Sequence, residues 1–325
     1  MTITVACIGA GNISGRHLNN LREMDDVRIV GVADVALERA QAYATRYGCH
    51  AYRDYQEMIE REHPEALWIC VPPFVHGEPE AYAVAHKLPF FVEKPLATTW
   101  EAAQALSQSV SQSGLITAVG YHWRYLDIVE RAQELLQNRP ARLALGYWMD
   151  STPPVNWWPK QAQSGGQQVE QTTHIFDLAR YLIGDVTTVY GTGSNIDRAA
   201  FPDSDIADVS TATLTFRTGA VAQLASTCLL DYPYRIGLHL FGEGLGIELR
   251  EFRVYIADGP ESKQEHLAQG DPFVREARTF LDAVRSGDPS AIRATYAEAL
   301  KTHRITTLAT RSAAEGQALA VEAAQ

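Results

Sequence analysis

The feature that most constrains this chain is a glycine turn between an apolar, strand-length run and an amphipathic stretch. Residues 9–15 read Gly-Ala-Gly-Asn-Ile-Ser-Gly and follow directly on the apolar run that ends at Ile8. Glycine at Gly9 permits a tight turn, whereas glycine at Gly11 lets the backbone approach a pyrophosphate. The start of the next helix directs unpaired N–H groups at such an anion. This context predicts a dinucleotide-binding fingerprint. The residues expected to bind the dinucleotide there are Gly9, Gly11, Asn12, Ile13 and Ser14.

A carboxylate downstream of the turn supports this prediction. Asp34 ends the second predicted strand, about 20 residues beyond the glycines, where it can accept hydrogen bonds from ribose hydroxyls and repel a 2′-phosphate. Asp34 therefore predicts NAD in preference to NADP. The alternatives are an ordinary glycine turn and an aspartate that forms a turn or caps the helix at Ala36.

The first 120 residues alternate short apolar runs with amphipathic stretches. This alternation is typical of βα units wound on both faces of a parallel sheet, so residues 1–120 are predicted to form an NAD-binding Rossmann domain. The predicted strands are Val5–Ile8, Ile29–Ala33, Ala66–Val71, Phe90–Val92 and Leu115–Val119, and the predicted helices are Ser14–Glu23, Ala36–Tyr47, His76–His86 and Thr98–Ser113.

Beyond residue 120 the pattern changes to strand-like alternation separated by turns. Residues 121–325 are therefore predicted to form a second, α+β domain with an open-faced, mostly antiparallel sheet. One helix, Thr173–Leu182, interrupts the sheet, and a helical tail begins at Pro272. The polar stretch Asp258–Gly270 has no periodicity and is predicted to be an exposed loop. The predicted strands are Leu143–Trp148, Ser210–Phe216, Ala220–Thr227 and Ile236–Phe241.

Composition narrows the possible partners. The formal charge of −11 disfavours nucleic acid and anionic lipid surfaces, which require clustered basic residues. No apolar run approaches the roughly 18 residues that span a bilayer, and the N-terminus predicts a strand instead of a signal sequence. The four cysteines show no metal-ligand spacing, and we expect a reducing, cytoplasmic location with no bound metal.

Four short segments, taken in order, resemble a known family. They are residues 9–17, the strand end Cys70-Val71-Pro72-Pro73 with His76, the triplet Glu93-Lys94-Pro95, and residues 165–182. The chain resembles the Gfo/Idh/MocA oxidoreductases, which join a Rossmann domain to an open-faced sheet domain. That resemblance implies a homodimer or homotetramer that associates through the sheet of the second domain.

The resemblance implies that Lys94 lies beside the nicotinamide and the substrate, with a cis peptide bond before Pro95 and with Glu93 in the cofactor site. A lysine at the carboxyl end of a parallel strand can polarise a substrate oxygen. The alternative is a solvated surface lysine with a structural Glu93. The resemblance also implies that Pro72, Pro73 and His76 run past the cofactor, His76 near the nicotinamide. His76 could equally be a residue at the start of a helix that contacts no ligand.

The family's D-x-x-x-H catalytic signature matches residues 170–174, with Glu170 in place of the aspartate and His174 unchanged. A histidine can take the hydroxyl proton while hydride passes to NAD, and Glu170 would orient the ring or the substrate. The alternative is a structural histidine at a helix start that Thr172 or Thr173 caps. Asp177, one turn further along, is predicted to be structural.

Two further residues are candidates for substrate binding. Arg124 can bind a hydroxyl or carboxylate through its planar fork, while its neighbours can equally be packing residues. Trp158 can stack on a sugar face or simply pack. The predicted reaction is NAD-dependent oxidation of a sugar, inositol or related polyol. The alternatives are an enzyme that uses retained NAD for transient oxidation, as in a glycosidase or isomerase, and a non-catalytic NAD-binding sensor.

Overall fold

The computed structural model describes residues 2–321, and these residues form two compact units. The first unit comprises residues up to 97, 101–122 and 271–300, and the second comprises residues 98–100, 123–270 and those from 301 onward. The division differs from the predicted one, because residues 271–300 belong to the first unit although the sequence placed them in the second. The reason is packing, since Phe280 of this segment lies in the core of the first unit beside Trp68, with ring centroids 5.3 Å apart.

The first unit contains a six-stranded parallel sheet. Its strand order is 3-2-1-4-5-6, the arrangement of a doubly wound dinucleotide-binding domain. Residues on the four central strands are almost all buried, as expected where helices cover both faces of a sheet. The prediction of an N-terminal Rossmann sheet is confirmed. The strands are β1 (Ile3–Ile8), β2 (Val27–Ala33), β3 (His50–Tyr52), β4 (Ala66–Ile69), β5 (Phe90–Val92) and β6 (Thr117–Val119).

Helices connect these strands, and one further helix comes from the distant part of the chain. The helix that the sequence ended at Gly48 does end there, with this glycine in the left-handed conformation at φ 69°. A short 3₁₀ turn, Pro73–Val75, follows β4, and the next helix begins at Glu78 instead of the predicted His76. The helices are α1 (Asn12–Arg22), α2 (Leu37–Tyr47), α3 (Tyr55–Glu62), α4 (Glu78–Ala85), α5 (Trp100–Ser113) and α10 (Pro272–Ser286).

The second unit contains a nine-stranded sheet. Its order is β14-β13-β12-β11-β7-β10-β9-β8-β15, and all neighbours are antiparallel except β7 and β10. The predicted mostly antiparallel sheet is therefore confirmed. The strands are β7 (Leu143–Ser151), β8 (Val186–Ser194), β9 (Val209–Phe216), β10 (Val221–Leu230), β11 (Arg235–Gly242), β12 (Leu245–Arg250), β13 (Arg253–Asp258), β14 (Lys263–Leu267) and β15 (Leu319–Ala320).

Helices of this unit pack on one face of the sheet. They are α6 (Asp127–Asn138), α7 (Gln161–Ser164), α8 (Gln167–Glu170), α9 (Thr173–Ile183) and α11 (Tyr296–Glu315), whose residues from 301 belong here. Gly146 on β7 lets α9 approach closely, because a Cβ there would lie 2.5 Å from a methyl carbon of Ile175. The other face carries partly exposed apolar side chains, including Leu145 at 41% and Val221 at 43% exposure.

The predicted loop at Asp258–Gly270 is wrong. Lys263–Leu267 forms β14, which pairs antiparallel with β13 at the edge of the sheet. All five of its residues are exposed, so neither face of this strand carries the apolar alternation that would have revealed it. Among the described residues no helix is long and apolar enough to cross a membrane.

Candidate active site

The glycine turn after β1 has the geometry that its sequence predicts. Gly9 adopts φ +97°, a conformation that favours glycine, and its N–H donates to the carbonyl of Ala33 at 2.7 Å. A Cβ at Gly9 would lie 2.2 Å from the backbone oxygen of Cys70. The turn is thus pressed against the end of β4, and only glycine fits this position.

The start of α1 is open toward its N-terminus. Gly11 is the N-cap, no side chain caps the first turn, and a Cβ at Gly11 would meet nothing within 4 Å. The hydroxyl of Ser14 accepts the Gly11 N–H at 3.3 Å, and the Tyr43 hydroxyl donates to the Gly11 carbonyl at 2.9 Å. An uncapped helix start with room for close backbone approach fits a dinucleotide pyrophosphate. Asn12 is exposed at this start, and Ile13 is half-buried.

Asp34 lies directly beside the turn. One of its carboxylate oxygens accepts the N–H of Ala10 at 2.9 Å, and the other accepts the N–H of Ala36 at 2.8 Å. Arg39 approaches the same carboxylate at 3.3 Å. Asp34 therefore stabilises both the glycine turn and the start of α2. A carboxylate offers about four acceptor positions, so these backbone bonds leave capacity for ribose hydroxyls.

The segment after β4 holds its histidine by a carboxylate that the sequence prediction missed. Pro72 and Pro73 lead into the 3₁₀ turn, and the side chain of His76 is fully buried. Its Nδ1 lies 2.5 Å from Glu80, whose second oxygen accepts the Gly77 N–H at 2.6 Å. The spacing of four residues between His76 and Glu80 on a helix start was the available signal.

The Glu93-Lys94-Pro95 triplet follows β5, and the Lys94–Pro95 bond is cis, as predicted. Lys94 is half-buried, and its backbone N–H donates to Glu93 at 3.1 Å. The other carboxylate oxygen of Glu93 lies 2.7 Å from Nε2 of the buried His17. Burial opposes ionisation of Glu93, yet the His17 hydrogen bond and nearby positive charge hold its pKa below the ordinary value.

Two further ionisable groups of the first unit, half-buried His122 and buried Glu276, lie near this triplet. Burial lowers the pKa of His122 to about 3, so its ring is neutral at physiological pH, and it stacks on Phe273 with centroids 4.2 Å apart. Burial and the charges of Glu93 and Asp271 raise the pKa of Glu276 well above its ordinary value. Neither carboxyl oxygen of Glu276 has a hydrogen-bond partner within residues 2–321. No local pattern pointed to this acid, because its helix comes from a distant segment of the chain.

In the second unit His174 lies in the first turn of α9 and is 5% exposed. Its ring stacks on Trp148 of β7, with centroids 5.7 Å apart and planes 18° apart. Thr172 occupies the N-cap position, but its hydroxyl makes no capping hydrogen bond. The predicted alternative of a helix capped by Thr172 is therefore not what the structure contains. The ring orientation of His174 is fixed by the sheet beneath it.

Glu170 ends the short helix α8 and accepts the indole N–H of Trp158 at 2.7 Å. Trp158 is fully buried and packs with Ile206 and Cys228. Of the two alternatives for Trp158, sugar stacking and packing, the structure agrees with packing, because the indole is enclosed in a small core. The indole N–H of Trp158 holds the Glu170 carboxylate in place.

Arg124 and Asp177 form a buried, bidentate ion pair, in which Nε and Nη2 of Arg124 donate to the two Asp177 oxygens at 2.7 and 2.6 Å. Asp177 also accepts the hydroxyl of Thr302 at 2.7 Å, and the guanidinium lies over the Tyr181 ring at 4.6 Å. Arg124 is 1% exposed, and its planar fork binds Asp177 instead of the substrate hydroxyl or carboxylate that the sequence suggested. Asp177 is structural, as the sequence predicted. Within residues 2–321 no cluster of three His, Cys, Asp or Glu side chains is placed to hold a metal ion.

Comparison with known proteins assigns the family. Residues 3–121 match the model of the GFO/IDH/MocA oxidoreductase family with an NAD-binding Rossmann fold. Residues 138–248 match the model of the GFO/IDH/MocA C-terminal domain. The two matches together cover most of the chain and fall in the two units described above.

Individual relatives cover nearly the whole chain at low identity. Myo-inositol 2-dehydrogenase of Thermotoga maritima is 25% identical over 303 residues, which is 89% of this chain and 90% of that protein. The NAD-dependent scyllo-inositol 2-dehydrogenase of Bacillus subtilis is 26% identical, over 88% of this chain and 87% of that protein. The structure of levoglucosan dehydrogenase in complex with NADH superposes with a TM-score of 0.89 at 20% identity, covering 99% of this chain and all of that one, which supports the fold. The chain is a member of the GFO/IDH/MocA family of NAD-binding oxidoreductases.

Proposed function

We propose that this protein oxidises a CH–OH group of a sugar, an inositol or a related polyol with NAD. The observation that carries the proposal is the position of Lys94 relative to the glycine turn. The turn leaves the carboxyl end of β1 and Lys94 leaves the carboxyl end of β5, two strands away in the same parallel sheet. That separation is about 10 Å at the usual strand spacing, and open α/β sheets bind their ligands at this edge.

Each proposed catalytic residue has one role. NAD, when bound, supplies the nicotinamide that accepts hydride. The ammonium group of Lys94 stabilises negative charge on the substrate oxygen as the C–H bond of the carbinol carbon breaks. His174 takes the hydroxyl proton, and Glu170, held by Trp158, orients the histidine or the substrate. Glu170 is one methylene longer than the family's aspartate, and its bond to Trp158 fixes the direction of that longer arm.

The substrate class is inferred from the relatives. The two curated relatives described above are inositol dehydrogenases, and the structural neighbour is named for an anhydrosugar. NAD is the preferred cofactor, because the carboxylate of Asp34 would repel a 2′-phosphate. The exposed Arg39 beside Asp34 reduces that repulsion, so the preference is one of degree.

The test is a panel of polyols and sugar acids screened for NADH formation. Wild-type protein is compared with Lys94→Met, which keeps the aliphatic stem and removes only the charge. We expect Lys94→Met to lose turnover by about 100-fold or more while NAD still binds. Lys87→Met is the matched control, because Lys87 is an exposed lysine of the same unit, and it should match wild type. Wild-type protein that binds NAD but oxidises no compound of the panel would favour the sensor. NAD retained through purification without net NADH would favour transient oxidation.

We also propose that the protein is a cytoplasmic homodimer or homotetramer that associates through the open face of the nine-stranded sheet. All four cysteines are free thiols, which agrees with a reducing compartment. Antiparallel sheets with an apolar exposed face usually bury it, and Leu143, Leu145 and Val221 are 39–43% exposed there. Light scattering of wild type and Leu145→Glu tests the association. A monomeric wild type would contradict it.

A further inference from the structure

We propose that His17 is a positioning residue that, through Glu93, fixes the backbone of Lys94 relative to α1, the helix whose start forms the phosphate turn. This inference rests on the proposed function in so far as Lys94 is the reactive lysine. It assigns a role to a buried histidine that the catalytic scheme does not otherwise use.

Two hydrogen bonds in sequence make the connection. Nε2 of His17 lies 2.7 Å from one carboxylate oxygen of Glu93, and the other oxygen accepts the backbone N–H of Lys94 at 3.1 Å. The side chain of His17 is completely buried, and that of Glu93 is 6% exposed. Solvent therefore does not compete for either bond, so each one restricts the groups that it joins.

The surroundings leave Glu93 no other position. A Cβ at Gly120 would lie 2.7 Å from a Glu93 oxygen, so the carboxylate is in contact with that backbone. The His17 ring lies edge-on to Phe91 at 4.9 Å and to Phe273 at 5.7 Å. Close-packed neighbours of this kind prevent the pair from separating without a wider rearrangement.

The ionisation of the cluster defines which nitrogen of His17 carries a proton. The pKa of Glu93 is held below its ordinary value, so its carboxylate only accepts hydrogen bonds. His17 must then carry its proton on Nε2. Its Nδ1 has no hydrogen-bond partner within residues 2–321, so the bond from Nε2 to Glu93 is the one hydrogen bond of this ring among these residues. The charged or titratable groups near this pair are Cys70, Lys94, His122, Asp271 and Glu276.

The position of His17 on α1 gives the connection its consequence. His17 lies one helical turn after Ser14, whose hydroxyl accepts the Gly11 N–H at the phosphate turn. The two hydrogen bonds thus join α1 to the backbone of Lys94, and neither of them is made by the glycine turn itself. Loss of the His17 donor should therefore lower kcat and leave NAD affinity unchanged.

The test compares His17→Gln with His17→Leu. The amide nitrogen of glutamine can replace Nε2 as donor to Glu93, whereas leucine fills the space without a donor. Loss of a hydrogen bond to a buried charged group predicts a decrease of about 10- to 100-fold in kcat for His17→Leu, with NAD Kd unchanged. His17→Gln should recover most of the loss. His50→Leu is the matched control, because His50 also contacts a carboxylate at 2.7 Å but is 73% exposed, and it should match wild type.

A second measurement does not depend on turnover. In the cofactor-free protein, nitrogen-15 histidine spectra should show His17 protonated at Nε2, and the signal is assigned by its loss in His17→Gln. Hydrogen exchange of the Lys94 amide should be slow in wild type and His17→Gln and faster in His17→Leu. If His17→Leu does not fold, His17→Asn, which is polar but too short, replaces it. An Nδ1-protonated His17, an unchanged Lys94 amide, or a full kcat in His17→Leu would overturn the proposal. A wild type without turnover would refute the proposed function alone, and the exchange measurement would still decide this one.

Discussion

Replacement of each glycine of the phosphate turn by alanine should have a different effect, on stability for Gly9 and on NAD affinity for Gly11. Gly9 has φ +97°, and a Cβ there would lie 2.2 Å from the Cys70 carbonyl oxygen. Ordinary contact begins at 3.4 Å, so the shortfall is 3.4 − 2.2 = 1.2 Å, and it is against backbone that cannot rotate away. Gly11 lies outside the left-handed region with φ −90°, and a Cβ there meets nothing within 4 Å.

These distances set the expected magnitudes. A left-handed backbone costs alanine about 1–2 kcal/mol, and overpacking adds about 1–3 kcal/mol. Gly9→Ala should therefore lose about 2–5 kcal/mol of the free energy of unfolding, a large part of the usual 5–15 kcal/mol. At about 2–4 °C per kcal/mol, Tm should fall by about 4–20 °C. Gly11→Ala should change Tm by only about 1–2 °C, because its methyl group is unobstructed.

The assays are differential scanning calorimetry and NAD titration followed by calorimetry. Gly11→Ala should weaken NAD binding by about tenfold or more, because its methyl group lies where the backbone must approach the pyrophosphate. A Gly9→Ala protein that melts with wild type would refute the packing argument. Wild-type NAD affinity in Gly11→Ala would refute the assignment of this turn as the cofactor site.

Three further outcomes follow from single contacts. Asp34→Ser should weaken NAD binding and lower the ratio of the Kd for NADP to the Kd for NAD, because Arg39 can still bind a 2′-phosphate. An unchanged ratio of the two Kd values would contradict this prediction. The raised pKa of Glu276 means that its contribution to the free energy of unfolding is fully present below about pH 4.5 and is lost as pH rises toward its folded pKa. The Tm of Glu276→Gln should therefore rise relative to the Tm of wild type as pH increases from about 5 to about 8. A Tm difference that stays constant over that pH range would show that the pKa of Glu276 is not raised in the folded protein. Trp158→Phe removes the indole N–H that holds Glu170 and should lower kcat more than NAD affinity; equal effects on the two would point to general loss of structure.

Sequence periodicity predicted the first unit well because its strands are buried on both faces. The strand Phe90–Val92 has its predicted bounds, and the glycine turn lies where the sequence placed it. Strand β12 was missed although buried Leu245, Ile247 and Leu249 alternate along it, but other missed elements lack such a signal. Strand β3 has only three residues, and β8 is rich in threonine and glycine. The edge strand β14 is exposed throughout, so no apolar period marks it.

The candidate site was predictable where a motif carries it and unpredictable where distant segments meet. Gly9 and Asp34 follow from short local patterns, whereas the cis bond at Lys94–Pro95 was implied by the family resemblance of the triplet. The partners of these residues do not follow from such patterns, because Glu276 comes from a helix far along the chain and His17 meets Glu93 only through the fold. Arg124 illustrates the reverse error, since a cation beside a motif proved to be half of a buried ion pair.

The central claim is that hydride passes from a carbinol carbon of the substrate to NAD. The most direct test uses the polyol that gives the fastest NADH formation, deuterated at its carbinol carbons, followed by mass spectrometry of the reduced cofactor. Direct hydride transfer predicts one deuterium per molecule of NADH formed with wild type and a strongly reduced rate with Lys94→Met. Reduced cofactor without deuterium, or deuterium transfer at the wild-type rate in Lys94→Met, would contradict it.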